Sequence, residues 1–502
     1  MIRIAKLRII LFSLLAVANL SCAALNFLPA LPGFSQRQAH IELRPCHFPN
    51  HSTELLCGKY RVYENRAAQT GRMISLNILI VPALTPTPMD DPVFFLSGGP
   101  GQGAARIARA GEDALMRELR RERDLVFIDQ RGTGDSNRLG CSIINDRESL
   151  QNYFLEVFPA EAIRACRREL EGHADVRLYT TSLALEDVDE VRSALGYNKI
   201  NLYGVSYGTL SALEYLRRYP DQVRAVVLAG VVTPAAKLPL QFAKGAQLSM
   251  DRLIEDCAGD ESCNTAFPTL KEDFASVLRA FANGPVRFAL TPPGGRTAQP
   301  VTLSRGVFAE RLRLMLTDHS SAILVPFLIR HAARGDWLPF GNVAVRPVPA
   351  AAYTLALGSY LTMTCAESVE LLTEAEIAKQ TAGTFLSDYR VRRHLSACDL
   401  WPRSEIPGDF LTPVESSAPV LMLSGDIDPT NSAEFAAAAG RHLPNSRQVI
   451  LRNTPHNYTS PCARELTTSF IARGSANDLD TACATGLRRP RFLTELPERY
   501  QH

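Results

Sequence analysis

An α/β fold, with a mostly parallel central sheet interrupted by an inserted and mainly helical cap, is predicted by three observations. Apolar runs of strand length recur at 74–81 (ISLNILIV), 93–96 (VFFL), 125–129 (LVFID), 199–205 (KINLYGV) and 223–230 (VRAVVLAG). Helical patterns at 105–121, 159–171, 183–195 and 208–218 alternate with them, the rhythm of a parallel sheet covered on both faces. That rhythm stops after Gly230 and resumes only at 419–425 (PVLMLSG) and 447–453 (RQVILRN). The chain has 502 residues, 46% hydrophobic and 21% charged, enough for one large domain carrying an insertion.

The chain opens with MIRIAKLR, the apolar run IILFSLLAVANL and the small residues SCAA. Basic, apolar and small-residue segments in that order are the parts of a secretory signal, assigned to 1–24. An uncleaved anchor is the rival, disfavoured because the run is short for a span. Lipidation at Cys22 is another, although the preceding AsnLeuSer matches a lipoprotein signal poorly. Loss of the leader removes Arg3, Lys6 and Arg8, so the net charge of +2 becomes about −1 in a secreted or periplasmic product. No basic footprint for nucleic acid remains, and no stable membrane partner is expected.

Ten cysteines follow Cys22, an even number that in an exported chain reads as up to five disulfides. Pairing in chain order (46–57, 141–166, 257–263, 365–398, 462–483) is the expectation, although spacing alone does not fix connectivity. There is no CxxC pair and no HExxH, so no metal site is expected.

The first part of the α/β core is assigned to 25–235 and the cap to 236–410. Within the cap, helical segments at 241–256, 268–281, 305–316 and 320–333 are separated by Pro/Gly-rich connections. The core resumes over 411–484 with an Ala-rich helix at 431–442, and 485–502 reads as a surface tail. Such insertions sit above the strand ends, where open α/β sheets place their ligands.

The stretch Gly204-Val205-Ser206-Tyr207-Gly208 lies between an apolar strand and the helical run TLSALEYLRRYP. A serine on that turn is held at the strand's carboxyl end in a strained conformation. Glycines two residues to either side let strand and helix approach. A serine nucleophile needs a base and a group that orients the base, in the chain order Ser, acid, His. The strand VLMLSG ends in Gly425-Asp426-Ile427-Asp428-Pro429-Thr430, and the next strand ends in ThrProHisAsnTyr. Asp428 is therefore the candidate acid and His456 the candidate base. Asp426, closer to its strand, competes with Asp428 but is suited to shaping the loop. His319, His331, His394 and His442 lie in or beside helices without comparable context.

The oxyanion donors are expected at the backbone N–H of Tyr207 and at Gly99, within Ser97-Gly98-Gly99-Pro100-Gly101-Gln102-Gly103. Pro100 has no N–H to give. The loop lacks both the Lys-Ser/Thr ending of a P-loop and the spacing of a dinucleotide fingerprint. Asp129 and Arg131, in the run DQRGTGDS after LVFI, are expected to support the site by binding loop carbonyls or carboxylates; a plain solvated turn is the rival.

In order, SGGPGQG (97–103), DQRGTGDS (129–136), GVSYG (204–208), GDIDPT (425–430) and the His456 loop resemble the secreted branch of the prolyl aminopeptidase-like α/β-hydrolases, the tripeptidyl aminopeptidases with their characteristic C-terminal region. The likeness covers about 57–484 and is looser in the insertion. In relatives the Gly-Gly-Pro-Gly loop usually begins with His, where this chain has Ser97. The resemblance implies an α/β-hydrolase fold, Ser206, Asp428 and His456 as triad, and Gly99 and Tyr207 as oxyanion donors. It also implies release of one residue or a short peptide from a free amino terminus, with no cofactor.

An exopeptidase must recognise the substrate ammonium. Glu367, in ThrCysAlaGlu at 364–367, is the candidate, because a bridged Cys365 would immobilise it and the family often has Cys-x-acid here. The rival is a solvated helix-start carboxylate bonding backbone donors. Glu370 is weaker, and Glu214 is expected to face away from the pocket. Two other functions remain open at this level: a secreted carboxylesterase using the same triad, and a non-catalytic α/β-hydrolase scaffold that binds another protein.

Overall fold

The computed structural model describes residues 41–51, 53–141, 149–293, 295–345 and 355–500. The assigned leader, 1–24 with Cys22, lies outside the described residues. Among the described residues there are eleven strands: β1 (Leu43–Cys46), β2 (Leu55–Tyr63), β3 (Met73–Val81), β4 (Val93–Leu96), β5 (Leu125–Ile128), β6 (Ile200–Val205), β7 (Val223–Ala229), β8 (Val286–Leu290), β9 (Gln299–Leu303), β10 (Val420–Gly425) and β11 (Ser446–Leu451). Nine form one sheet in the order β1-β2-β3-β5-β4-β6-β7-β10-β11. The run from β5 to β11 is parallel, and β1, β2 and β3 add an antiparallel edge.

Central strands are continuous apolar runs because both faces are covered: every residue of β4 and β5 is buried. Alternate residues feed opposite faces. In β10, Val420 and Met422 enter the core layer packed by α1 (Thr181–Ala194) and α2 (Tyr207–Arg218), while Leu421 and Leu423 enter the layer on the other face. Strands β1 and β2, toward one edge of the sheet, have no counterpart among the apolar runs. In β2 (LLCGKYRVY) polar and charged residues alternate with buried ones, so its apolar signal is diluted.

The cap includes α3 (Phe242–Gly259) and α4 (Arg305–Met315), with the antiparallel pair β8–β9, around a separate apolar core. Helix α5 (Leu357–Glu367), within the same sequence interval, is buried along its whole length. Leu357, Tyr360, Leu361 and Cys365 join the sheet's core while Met363 joins that of the cap, so α5 pins the two together. The last long helix, α6 (Pro461–Arg473), covers the opposite sheet face.

Two expected helices are broken. The 105–121 pattern splits into Ala105–Arg109 and Ala114–Leu119, where Gly111 takes φ +115 and Asp113 caps the second piece. The 320–333 pattern splits into His319–Ala322 and Val325–Ala333, with Pro326 in the first turn of the second. Of the segment 485–502, read as surface chain, the described part instead fastens the cap. Phe492 and Leu496 are buried in its core, Arg489 pairs with Asp256 at 3.0 Å, and the Leu493 N–H donates to Ile323. The five disulfides pair in chain order: 46–57, 141–166, 257–263, 365–398 and 462–483.

Candidate active site

Ser206 stands alone between β6 and α2, with φ 56 and ψ −125. A non-glycine residue at positive φ is strained and persists only where its surroundings hold it. Its N–H donates to the Ala229 carbonyl at 2.9 Å, and its own carbonyl accepts from Thr209 N at 2.9 Å and Thr209 Oγ1 at 2.6 Å. Both neighbouring glycines are required by contact. A Cβ on Gly204 would strike the Gly208 carbonyl, and one on Gly208 would strike the Leu96 carbonyl at the end of β4.

The parallel strands β10 and β11 end side by side, and their exit loops bring Asp428 and His456 to Ser206. His456 Nε2 lies 3.0 Å from Ser206 Oγ, and Nδ1 lies 2.7 Å from Asp428 Oδ2. With Nδ1 facing a carboxylate, the proton of the neutral ring belongs there, leaving the Nε2 lone pair directed at the serine hydroxyl. Asp428 is buried, and its Oδ1 accepts from Thr430 N at 2.8 Å and Asn431 N at 2.9 Å. Burial pushes its pKa up, but the charge and hydrogen bond of His456 and these two N–H groups hold it below the usual range. Asp426 accepts from Thr454 N at 3.4 Å and lies 3.8 Å from Arg452, the loop-shaping position.

Beside Ser206 runs the glycine loop after β4. A Cβ on Gly98 would lie 3.2 Å from that of Ser206, and Gly99 has φ +116. Tyr207 is the first residue of α2, so its N–H has no carbonyl one turn back to bond. The Ser97 hydroxyl is buried without a partner.

The remaining candidates lie behind this constellation. Glu367 closes α5 and is only 2% exposed. It accepts from Thr181 N and Thr181 Oγ1, both at 2.7 Å, at the first turn of α1. Burial, with a smaller push from Glu214, raises its pKa to about 8 against the Thr181 hydrogen bonds. The Thr181 hydroxyl also meets that of Tyr207, whose ring is therefore bonded toward Glu367. Glu214 is buried and paired with Arg217 and Arg218. Glu370 faces Arg403 at 3.6 Å.

Asp129 accepts from Ala105 N at 2.9 Å and Asp135 N at 3.0 Å, fastening the end of the glycine loop to the next strand's exit loop. Arg131 is fully buried, doubly bonded to Asp187 on α1 and to the carbonyls of Glu64 and Leu178. Neither bonds the Ser206–His456–Asp428 chain.

Sequence reasoning passed over Tyr458, Asn431 and Thr181. Tyr458 Oη donates to Asp428 Oδ2 at 2.8 Å, and Asn431 Nδ2 donates to the Gly230 carbonyl at 2.7 Å. Nothing local marks Tyr458, two residues beyond His456, or Thr181. Among the described residues, no group of three or more His, Cys, Asp or Glu could hold a metal, and no helix is long and apolar enough to cross a membrane.

The family model described as alpha/beta hydrolase fold matches residues 91–266, and one described as TAP-like protein matches 383–483. The chain is an α/β-hydrolase superfamily protein. This α/β-hydrolase is 27% identical over 245 residues to serine protease Hip1 of Mycobacterium tuberculosis, covering 44% of the chain and 46% of that protein. It is 31% identical over 224 residues to putative hydrolase YuaR of Escherichia coli (42% and 44%). It is 30% identical over 193 residues to tripeptidyl aminopeptidase of Streptomyces lividans (36% of each). The chain spans about half or less of the length of these curated relatives.

Proposed function

We propose that the chain is an exported serine exopeptidase, removing a residue or short peptide from an unblocked amino terminus through an acyl-enzyme. The observation that carries the reading is the hydrogen-bonded chain Ser206 Oγ–His456–Asp428 on a strained strand-to-helix turn. His456 Nε2 takes the hydroxyl proton as Oγ attacks the scissile carbonyl, and Asp428 stabilises the imidazolium that forms. The backbone N–H groups of Gly99 and Tyr207 receive the oxyanion. The tetrahedral adduct collapses, His456 hands its proton to the leaving amine, and the C–N bond breaks. Water, deprotonated by the same nitrogen, attacks the ester; the peptide acid departs and Oγ recovers its proton.

Glu367 is the proposed partner of the substrate ammonium. It is a buried carboxylate with no cation in salt-bridge range among the described residues, and burial raises its pKa to about 8. A carboxylate in that state is stabilised by any cation that reaches it. Thr364 lies one turn earlier on the same face of α5, and its hydroxyl oxygen is buried without a partner, as is that of Thr180 beside Thr181. Both could accept from an ammonium. Similarity to a tripeptidyl aminopeptidase and, at 28% identity over 142 residues, to the proline iminopeptidase of Neisseria gonorrhoeae supports the same substrate class. Five disulfides support an oxidising compartment.

The test pairs an aminoacyl arylamide and unblocked peptides with a short acyl ester, products being read by mass spectrometry. N-terminal products from free-amine substrates, lost on acetylating the amine and absent in Ser206→Ala, are expected. Ester turnover without cleavage of free-amine substrates would overturn the peptidase reading.

A further inference from the structure

Asp428 makes one hydrogen bond that neither its loop nor the base supplies. Its Oδ1 is taken up by the two N–H groups of its own turn, which fix that side of the carboxylate. Its Oδ2 accepts twice, from His456 Nδ1 at 2.7 Å and from Tyr458 Oη at 2.8 Å. The phenol is itself held: Tyr458 Oη accepts from Gly425 N at 3.0 Å, the last residue of β10. One relay thus runs from the backbone of the acid's strand, through the phenol, to the oxygen that faces the base. The Tyr458 ring is buried and meets the His456 ring edge-on, with centroids 6.2 Å apart and planes at 82°.

The backbone at the end of β7 is shaped around both rings. Gly230 takes φ +67, and a Cβ there would lie 2.8 Å from Tyr458 Cε2 and 3.3 Å from His456 Cε1. The Gly230 carbonyl is in turn tied to Asn431, beside Asp428. Three exit loops, from β7, β10 and β11, therefore converge on this phenol.

We infer that Tyr458 is a positioning residue which aims Asp428 Oδ2 at the imidazole and shares that oxygen's charge, setting how strongly the acid stabilises protonated His456. The inference rests on the Ser-His-Asp reading above and extends it to a residue that touches neither substrate nor nucleophile. A donor on a carboxylate oxygen withdraws charge from whatever else that oxygen contacts. Without it, the whole charge of Oδ2 falls on the imidazolium, which is then harder to deprotonate. Other charged groups approach the loop without reaching the ring. Asp318 of the cap bonds Asn457 at 2.9 Å, and Asp426, with Arg452 beside it, bonds Thr454.

The test compares Tyr458→Phe, replacement of Tyr458 by a fluorinated, more acidic tyrosine, and Ser206→Ala, each as the full folded chain. In Tyr458→Phe, kcat falls about tenfold with KM little changed, the size of one hydrogen bond to a charged group. The acid limb of its kcat/KM profile moves up by about 0.5–1 pH unit. The fluorinated residue, a stronger donor, moves the limb down. The low-field proton resonance of His456 Nδ1–H follows the same order and reports even where turnover is weak. A limb and a resonance unmoved in both variants, whatever the melting temperature does, overturn the inference. If Ser206→Ala is inactive in that case, the triad reading survives it; hydrolysis persisting in Ser206→Ala overturns the triad reading itself.

Discussion

Asp428 Oδ2 and His456 Nδ1 meet at 2.7 Å because their loops leave adjacent parallel strands paired in register, Gly425 opposite Leu451. Each loop then needs only a short excursion to bring its side chain to the same sheet edge. Ser206 comes from β6, two strands away in the sheet order, and its Oγ is 3.0 Å from the far nitrogen of the same ring. The carboxylate–imidazole pair is thus a local product of one strand pair, and the serine hydroxyl is delivered by the sheet as a whole.

The two aspartates of the β10 loop separate by substitution. Asp428→Asn keeps the shape but allows the amide to donate, so Nδ1 becomes an acceptor and Nε2 carries the proton, the wrong tautomer for a base. A fall in kcat on the order of 10³–10⁴ is expected, with the fold intact. Asp426→Asn, which keeps an oxygen to accept the loop N–H and loses a weak ion pair with Arg452, should stay within about threefold. Steady-state kinetics with circular dichroism checks both, and a reversed order would move the acid to Asp426.

Gly208→Ala tests the elbow by packing alone. The new Cβ would run into the Leu96 carbonyl and 2.9 Å from the Ser97 carbonyl, backbone atoms at the root of the glycine loop. Strand and helix must part to admit it, carrying Ser206 away from the proposed oxyanion donors. A loss of soluble protein, or a melting transition lowered by the equivalent of about 1–3 kcal/mol with activity lost further, is expected.

Much of this was readable from local sequence, and the exceptions have physical causes. Ser206, Asp428 and His456 were legible because each follows an apolar strand, and strand ends in a parallel sheet share one edge. Tyr458 was not, since a buried tyrosine in a loop is indistinguishable from core packing until its hydroxyl's partners are known. Strand β2 hid behind Lys59 and Arg61, whose side chains face solvent. Helix α5 lacks an amphipathic stripe because both of its sides are covered. The C-terminal segment, polar and Arg-rich, reads as surface until Phe492 and Leu496 are seen in the cap core.

Glu367 makes stability fall as pH rises. Its folded-state pKa, about 8, lies above its ordinary value of 4.5, so the folded state holds a proton that the unfolded state gives up. The corresponding stabilisation is complete below the unfolded value and is lost as pH rises through about 8. Urea denaturation from pH 5 to pH 8 should show a decline that Glu367→Gln removes. The same group gives a binding signature: at neutral pH an incoming ammonium would convert the carboxylic acid to its anion, releasing a proton to the buffer. Calorimetry of an unblocked product peptide in buffers of different ionisation enthalpy measures that proton, and none should be released with Glu367→Gln. Equal proton release by both proteins would remove Glu367 from the ammonium site.

Truncation after Leu487 should loosen the cap and spare the sheet. The segment contributes two buried apolar side chains, Phe492 and Leu496, the Arg489–Asp256 ion pair and the Leu493–Ile323 backbone bond, all made to the cap. Losing the two side chains alone removes about 3–6 kcal/mol of burial, before the remaining chain relaxes. The cut leaves the Cys462–Cys483 disulfide in place, so α6 keeps its hold on the opposite sheet face. Limited proteolysis followed by mass spectrometry should therefore find the earliest cleavages in the truncated protein beyond α4, around Val325–Ala333, with β10 and β11 protected. Because the Ser206–His456–Asp428 chain is built wholly from sheet exit loops, turnover of a small acyl ester should persist while cleavage of longer unblocked peptides, which depends on the cap, declines. Early cleavage within β10 or β11 would show instead that the segment braces the sheet.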